Sequence, residues 1–521
     1  MSESVIVPGS KQALMKIIHK RKIIVLVVLF VAAWSMSAAT FTALHEFSML
    51  SLSTGNGDGA NPESSVILSS NVLYGAAGYG GSNFSGTVFR LDSNGSNFIV
   101  LHEFSAGAYN PGLQVPTNKD GYAPEGDLVD LDGVLFGTAY YGGSGGVGAL
   151  FKLNIDGTGF TNFHNFTAST YNSVNGLYTN ADGASPSGGL LAVGNELYGT
   201  TFGGGTGSDG VIFAVTTSGT GFTNLHSFAP TTFNTNVAVY FYTNVDGAYP
   251  YDSLILVSNQ LYGTAYQGGY GGAGVVFRVN PDGSGFTNLH NFAPLKFDLP
   301  DSSYSNRDGG FPYAPLVFYG GSLYGTTFYG GITGDGTIFR MSTNGGAFTN
   351  LYVFTYGDDG ANPEAGLTLS GNTLYGTAEN GGATGDGSVF QINTDGAGFK
   401  TLYSFSDTTQ TNSAGDYTNS DGSSPYADVT LSGSTLYGTT MQGGLGAEGT
   451  IFALNLSSTV APIPLNIQLI GANAVLTWSV PGFSLQSAAS IAGPYSTLTG
   501  ALSPHTNSVS GDQQFFRLIS N

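Results

Sequence analysis

Asp182-Gly183-Ala184-Ser185-Pro186 leads into Leu197-Tyr198-Gly199-Thr200-Thr201, then Val211-Ile212-Phe213, then Leu225-His226-Ser227-Phe228. These four words decide the fold, because they recur in fixed order through most of a 521-residue chain. Asp-Gly-x-x-Pro starts at Asp58, Asp120, Asp182, Asp246, Asp308, Asp359 and Asp421. In all seven copies a Leu-(Tyr/Phe)-Gly word begins 15 residues on, and a Phe closes the third word 16 residues after that. The (Leu/Phe)-(His/Tyr)-x-Phe word follows 12 residues later wherever it is present. A register constant over 43 residues marks each copy as one rigid supersecondary unit.

Each unit reads as four short strands. Strand a follows the Pro, b carries Leu-Tyr-Gly, c carries the Val-Phe type of run, and d carries the His/Tyr word. Gly194-Asn195 separates a from b, and Asp156-Gly157 or Asp282-Gly283 separates c from d, as turn chemistry requires. Four antiparallel strands repeated seven times predict an all-β, seven-bladed propeller; a β-solenoid, with its shorter repeats, is the alternative. The ends predict closure. No strand d follows Phe452, yet Phe41 to Phe47 is a strand d with no a, b or c before it. The N-terminal strand should therefore complete the last blade and leave no open edge.

Composition agrees. The chain has 80 Gly, 13% aromatic residues, 9% charged residues and no Cys. Disorder needs the opposite balance. Zero Cys excludes a disulfide framework and thiolate metal sites. A net charge of −20 argues against nucleic acid and anionic lipid as partners. Residues 1–39 read as a signal peptide: Lys16, Lys20, Arg21 and Lys22, then an apolar run from Ile23 to Trp34, then Ser37-Ala38-Ala39 at the cleavage positions. The run is short for a membrane span, so no span is expected after cleavage, and the mature protein is expected to be a secreted or cell-surface monomer. An uncleaved signal anchor is the alternative. The expected domains are the propeller at 40–458 and a small β-domain at 463–521.

The repeat is similar to the GloVer (Gloeo/Verruco) tandem repeat of bacterial exported choice-of-anchor proteins. Leu197-Tyr198-Gly199-Thr200-Thr201, Gly203-Gly204 and Val211-Ile212-Phe213 carry the resemblance, which covers roughly residues 41–456. It implies export and surface display and brings no catalytic residues with it. Ile467-Gln468-Leu469, Val475 to Trp478, Phe483 to Gln486 and Phe515 to Leu518 resemble strands of a small fibronectin-like β-domain.

Several patterns read as structural. His45, His102, His164, His226 and His290 share one slot of strand d, which Tyr352 and Tyr403 fill in other copies. A slot that accepts either is an aromatic packing position with a polar tip. Gly142-Gly143-Ser144-Gly145-Gly146 fits Gly-x-Ser-x-Gly but lacks the strand-turn-helix context of a nucleophile. The Asp-Gly-x-x-Pro word reads as a turn launching strand a. Its oxygen-rich setting on an acidic chain leaves Ca²⁺ open as a cofactor, with Asp120, Asp182, Asp246, Asp308 and Asp421 as ligands; no other cofactor is expected.

Length variation concentrates between strand d and the next Asp, a connection of 14, 19, 19, 21, 19, 8 and 19 residues. Long connections without secondary structure of their own are usually functional. These lie on the same face as the b–c loops and carry Tyr178-x-Asn180, Tyr242-x-Asn244, Tyr304-x-Asn306 and Tyr417-x-Asn419. A ring beside amide and carboxyl groups suits a sugar face and its hydroxyls. The alternative is that these tyrosines pack their own loops. Blade six, with the shortest connection and Tyr356-Gly357-Asp358-Asp359, would leave a gap in the crown. The expected function is binding or adhesion to an extracellular glycan or surface protein. An extracellular polysaccharide lyase or hydrolase and a purely structural envelope protein are the alternatives.

Overall fold

The structure, a computed structural model, describes residues 39–456 except 52, 174–175, 235–240 and 299–302. It also describes 15–20 and 23–28 and, beyond 456, residues 466–470, 473–477, 483–488, 496–498, 501–508 and 515–520. Seven four-stranded antiparallel sheets follow one another along the chain. In blade two, a is Val129–Leu131, b is Val134–Ala139, c is Ala149–Asn154 and d is Thr161–Asn165. The seventh sheet is discontinuous. Thr40–Glu46 lies beside Thr450–Asn455, which pairs with Thr435–Thr440, which pairs in turn with Thr430–Ser432. The N-terminal strand closes the ring, as the missing strand d requires.

The repeated words have physical reasons. A Cβ on the Gly of Leu-Tyr-Gly would meet the ring of the strand c Phe: 2.5 Å from Phe151 at Gly137 and 2.5 Å from Phe213 at Gly199, with the same approach in the other five blades. The tip of the Phe ring lies against the backbone of its neighbour, so only Gly fits. In blades one to six the c–d register slips by one residue just before that Phe, as between Leu150 and Phe151. This bulge turns the His/Tyr word toward the next blade. The two Phe of each repeat, such as Phe151 and Phe166, are fully buried, each worth about 1.5–3 kcal/mol by apolar burial.

Blades are fastened to one another by three repeated devices. The His or Tyr of strand d stacks on a Phe of the following blade. His45 on Phe98, His102 on Phe160 and His226 on Phe286 have ring centroids 3.6–3.7 Å apart. The series ends with Tyr403 on Phe41 at 4.4 Å, across the closing seam. Each Pro of Asp-Gly-x-x-Pro docks on a b–c loop Gly of the preceding blade, as Pro124 does on Gly86 and Pro62 on Gly449. Buried Thr hydroxyls of strand b donate to backbone carbonyls of the next blade, from Thr138 to Gly188 (3.1 Å) through Thr439 to Ser64 (3.1 Å).

The long d–a connections differ from expectation, because they have secondary structure of their own. Two-stranded hairpins form from Ala108–Asn110 with Val115–Thr117, Thr170–Asn172 with Leu177–Thr179, Thr232–Asn234 with Phe241–Thr243, Lys296–Asp298 with Ser303–Ser305, and Gln410–Thr411 with Tyr417–Thr418. Alternating β-formers on both arms pair locally once the loop is long enough to turn. The 8-residue connection into blade six is too short and forms none.

The chain divides into two units, Phe41–Asn455 and a second formed by Met1–Thr40 with Leu456–Asn521. The second unit holds a hairpin of Met15–Lys20 with Ile23–Val28. It also holds a sheet of Asn466–Ile470, Asn473–Thr477 and His505–Ser508, and another of Ser496–Thr497, Phe483–Ala488 and Phe515–Ser520. Leu476 and Leu485 are buried there. The four strands expected in the C-terminal segment are thus present. Trp34, Ser37, Ala38 and Trp478 lie outside the described residues.

Candidate functional site

On the face shared by the d–a and b–c loops, the hairpins raise aromatic side chains into solvent. Tyr178 is 61% exposed, Tyr242 51% and Tyr417 69%, while Tyr304 is half-buried. Each of the first two pairs with an aromatic residue across its own hairpin: Tyr171 with Tyr178 (centroids 5.1 Å) and Phe233 with Tyr242 (5.5 Å). Phe297 pairs with Tyr304 at 5.1 Å, and Tyr304 also reaches Tyr329 at 5.5 Å. Both partners of the first two pairs stay largely exposed. Packing within the loop therefore accounts for only part of their surface. The hairpins carry the tyrosines on separate blades, so the candidates form a rim and not one pocket.

The amides beside them have a different job. Asn180 Nδ2 donates to the carbonyls of Thr167 (2.7 Å) and Gly183 (2.6 Å), and Oδ1 accepts from the N–H of Gly183 (3.0 Å) and Gly205 (2.9 Å). Asn244, Asn306 and Asn419 repeat this pattern. All four hydrogen-bonding positions of each amide are filled. These residues tie strand d, the Asp-Gly turn and the b–c loop together, and a ligand would have to displace those bonds.

The aspartates offered as calcium ligands are likewise committed. Asp120 Oδ2 lies 3.2 Å from His102 Nε2 and accepts the Ser105 N–H at 3.0 Å, while its Oδ1 accepts the Ser105 hydroxyl. Asp246 and Asp308 pair with His226 and His290 at 3.0 Å, Asp182 lies 3.4 Å from His164, and Asp421 accepts from Tyr403 at 2.7 Å. Burial pushes the carboxyls of Asp58, Asp120 and Asp182 up, but the His, hydroxyl and backbone donors outweigh it and hold them below the usual range. Each Asp stands in its own blade. Among the described residues no group of three or more His, Cys, Asp or Glu is arranged to hold a metal ion. Each of these carboxylates is hydrogen-bonded in place at the turn that launches strand a.

A second constellation lies on the propeller axis and was not foreseen. It is built from the residue after the Pro of each repeat: Glu63, Glu125, Ser187, Tyr251, Tyr313, Glu364 and Tyr426. All seven line one axial cavity of about 40 Å³, with Asp127, Asp252 and Asp428 among the other lining groups. Tyr251 and Tyr426 hydroxyls are 3.3 Å apart, and Tyr426 also bonds the Glu364 carboxylate. Ser65 N–H donates to Asp127 at 2.7 Å, Ser253 N–H to Asp252 at 2.6 Å, and Gly366 N–H to Asp428.

Among the described residues, no Lys, Arg or His lines the cavity. Burial alone raises Glu63 to about 7. Burial, with Glu63 added, raises Glu125 to about 8. Burial, followed by Glu379, raises Glu364 to about 8. Asp252 rises to about 7 by burial and the nearby Asp127, and Asp428 rises well above its ordinary value by burial and both aspartates. The sequence signal was a fixed offset of five from each Asp-Gly Asp. Its residue types differ between blades, so word-matching passes over it.

Fold and repeat together define a class: a seven-bladed β-propeller assembled from tandem blade-length repeats. The chain belongs to the Gloeobacter/Verrucomicrobia repeat family, which matches residues 30–183, 173–303 and 229–419. No curated protein matches it. Solved structures similar to it include a nidogen/laminin complex (12% identity, 66% of this chain and 90% of that one, TM-score 0.30). An oligogalacturonate lyase in complex with manganese is similar at 11% identity, 88% and 100% coverage and TM-score 0.42. The tricorn protease is similar at 10%, 86% and 40%, and 0.34.

Proposed function

We propose that this propeller is an exported, surface-displayed binding module that holds an extracellular glycan or surface protein on its aromatic rim. One observation carries the reading: Tyr171, Tyr178, Phe233, Tyr242 and Tyr417 stay more than half exposed on hairpins of a single face. The strand c and strand d Phe of every blade are fully buried, whereas these rings stand in water, four of them in cross-hairpin pairs, and clustered exposed apolar surface of this kind marks contact sites. Flat rings with a hydroxyl tip suit the apolar face and hydroxyls of a sugar. The opening at blade six, where no hairpin rises, gives an extended chain a way onto the rim. Export is inferred from the basic, apolar and small-residue order of residues 16–39. The hydrolase form of the glycan-cleaving alternative needs two carboxylates flanking a bound sugar. The axial carboxylates surround about 40 Å³, far below the roughly 300 Å³ at which ligand pockets begin.

A glycan array on the purified propeller, followed by Tyr178→Ala and Tyr242→Ala, tests the reading. Binding to an array hit should weaken at least tenfold while the melting temperature stays within a few degrees. Unchanged binding in both variants would remove the rim from consideration.

A further inference from the structure

The 8-residue connection from blade five to blade six leaves a gap with two open walls. The first wall is the sixth residue of a b–c loop, counted from its Gly-Gly. It is acidic in four blades: Asp209, Asp335, Asp386 and Glu448. Three of these accept the backbone N–H of the connection that follows, each time from the residue three after the strand d Phe. Thr231 donates to Asp209 at 2.5 Å, Thr408 to Asp386 at 3.2 Å and Leu50 to Glu448 at 3.2 Å. Thr408 adds its hydroxyl at 3.1 Å. In blade five the residue three after Phe354 is Gly357. It serves the Asp-Gly turn instead, its carbonyl accepting from Gly360 (3.1 Å) and Gly382 (2.9 Å). Among the described residues no donor reaches the Asp335 carboxylate.

The second wall is the fifth residue of the next blade's b–c loop. A Cβ on Gly146 of blade two would meet Val115, and one on Gly334 of blade five would sit 2.7 Å from Ser303. Ser208 of blade three donates its hydroxyl to the Tyr178 carbonyl at 2.8 Å. Val115, Ser303 and Tyr178 all belong to the second arm of the hairpin that enters the blade. At Gly385 of blade six a Cβ would meet nothing within 4 Å. The gap is therefore a slot of known shape. In the other blades the same two loop positions hold the two arms of a short antiparallel hairpin, and here both are free. Asp359 beside the slot is committed to Tyr352 and Thr355. Burial, with Asp359 added, raises Asp335 to about 6, so above that pH it is an ionised acceptor, whose hydrogen bonds are roughly twice as strong as neutral ones. Tyr356, 56% exposed in the short connection, adds apolar surface.

We propose that the gap between blades five and six is a docking slot for a β-hairpin of a partner protein, which takes the place of the missing connection. Its first arm gives a backbone N–H to Asp335, and its second arm lies over Gly385. Main-chain hydrogen bonds of this kind supply affinity wherever one protein adds a strand to another. The hairpin is uncharged or basic, because Asp335, Asp358 and Asp359 on a chain of net charge −20 repel an acidic one. The slot is on the same face as the aromatic rim and stands whether or not the rim binds glycans.

The chain supplies a matched probe. Its hairpin between blades three and four starts at Asp209 and ends over Gly272, the same pair of residue types as Asp335 and Gly385. Asn244 Nδ2 donates to the Ala229 carbonyl at 2.7 Å, so the ends meet, and a peptide of residues 229–244 can be closed head to tail into an uncharged ring. Titration of the fluorescently labelled ring with the purified full chain, followed by anisotropy, should show one saturable site per chain. A ring N-methylated at Thr231, which lacks the N–H meant for Asp335, should bind at least tenfold more weakly. Asp335→Ala should weaken the parent ring by a similar factor. Replacing residues 355–358 with the sequence of residues 229–245 fills the slot from within and should abolish binding. If that replacement fails to fold, Asp335→Ala and the methylated ring still decide. Absence of ring binding would overturn the proposal, including the case in which the gap takes only a glycan. So would equal binding of the two rings, or undiminished binding of the parent ring to Asp335→Ala.

Discussion

At the scale of the residue, the interchange of His and Tyr in strand d has a geometric explanation. Both rings lie flat on the next blade's Phe, His290 on Phe348 at 3.9 Å and Tyr352 on Phe399 at 3.7 Å. Both also place a polar tip on the turn Asp, His290 at 3.0 Å and Tyr352 at 3.1 Å. His226→Tyr should therefore change stability by less than about 1 kcal/mol. His226→Leu keeps the packing but leaves Asp246 without its side-chain donor, which should cost about 1–3 kcal/mol. Chemical denaturation of the two variants checks the difference. Equal losses would mean that the Asp–His bond contributes nothing beyond the stack. A contrasting case is Gly137→Ala. Its Cβ would sit 2.5 Å from the Phe151 ring and 2.8 Å from Leu128, so a core ring must move, and overpacking of this kind costs about 1–3 kcal/mol.

At the scale of the element, the ring is held by a strand that comes from the far end of the chain. Thr40–Glu46 supplies the outer strand of blade seven, Phe41 stacks on Tyr403, and Phe47 is fully buried. Deleting residues 40–47 should bare the edge of Thr450–Asn455 and empty two aromatic positions, each costing about 3–5 kcal/mol. Aggregation on gel filtration, or a fall in melting temperature of roughly ten degrees or more, is the expected result. A monomer melting like the full chain would argue against closure as the source of stability. The closing strand was legible in the sequence because the repeat words are rigid: Phe41 to Phe47 matches strand d and nothing else. The hairpins were not legible as hairpins, since their arms are two or three residues long and vary in sequence between blades. Their tyrosines were legible because Tyr-x-Asn stands at a fixed offset from the Asp. The structural bonds of the companion asparagines were not legible, because hydrogen bonds to backbone carbonyls leave no mark in a sequence. The axial site was least visible. Glu63, Glu125, Tyr251, Tyr313, Glu364 and Tyr426 are far apart along the chain, and only the closing of seven blades on one axis brings them together.

At the scale of the whole molecule, two sets of carboxylates titrate in opposite senses, and their sum fixes how stability depends on pH. The turn aspartates Asp58, Asp120 and Asp182 are held below their ordinary value by His, hydroxyl and backbone donors that outweigh burial. Their contribution is present above the unfolded value of about 3.9 and is lost as pH falls through the lower folded value. The axial groups behave the other way. Glu63 at about 7 and Glu125 and Glu364 at about 8 stay protonated in the folded state, while the unfolded chain releases those protons near pH 4.3. Between these limits the folded state holds more protons, so stability falls as pH rises, by about 1.4 kcal/mol per pH unit for each proton in excess. Asp252, raised to about 7, adds in the same sense. The two trends meet near pH 4–5, where the melting temperature should be highest. It should decline between pH 5 and pH 8, since about 1 kcal/mol already moves a domain of this size by a degree or more, and then level off. Glu364→Gln and Glu125→Gln should flatten that decline and leave the acid limb untouched, because neither touches the turn aspartates. A melting temperature constant from pH 5 to pH 8 in the wild type, or a decline identical in both variants, would mean that the axial carboxylates are ionised and solvated like ordinary surface groups.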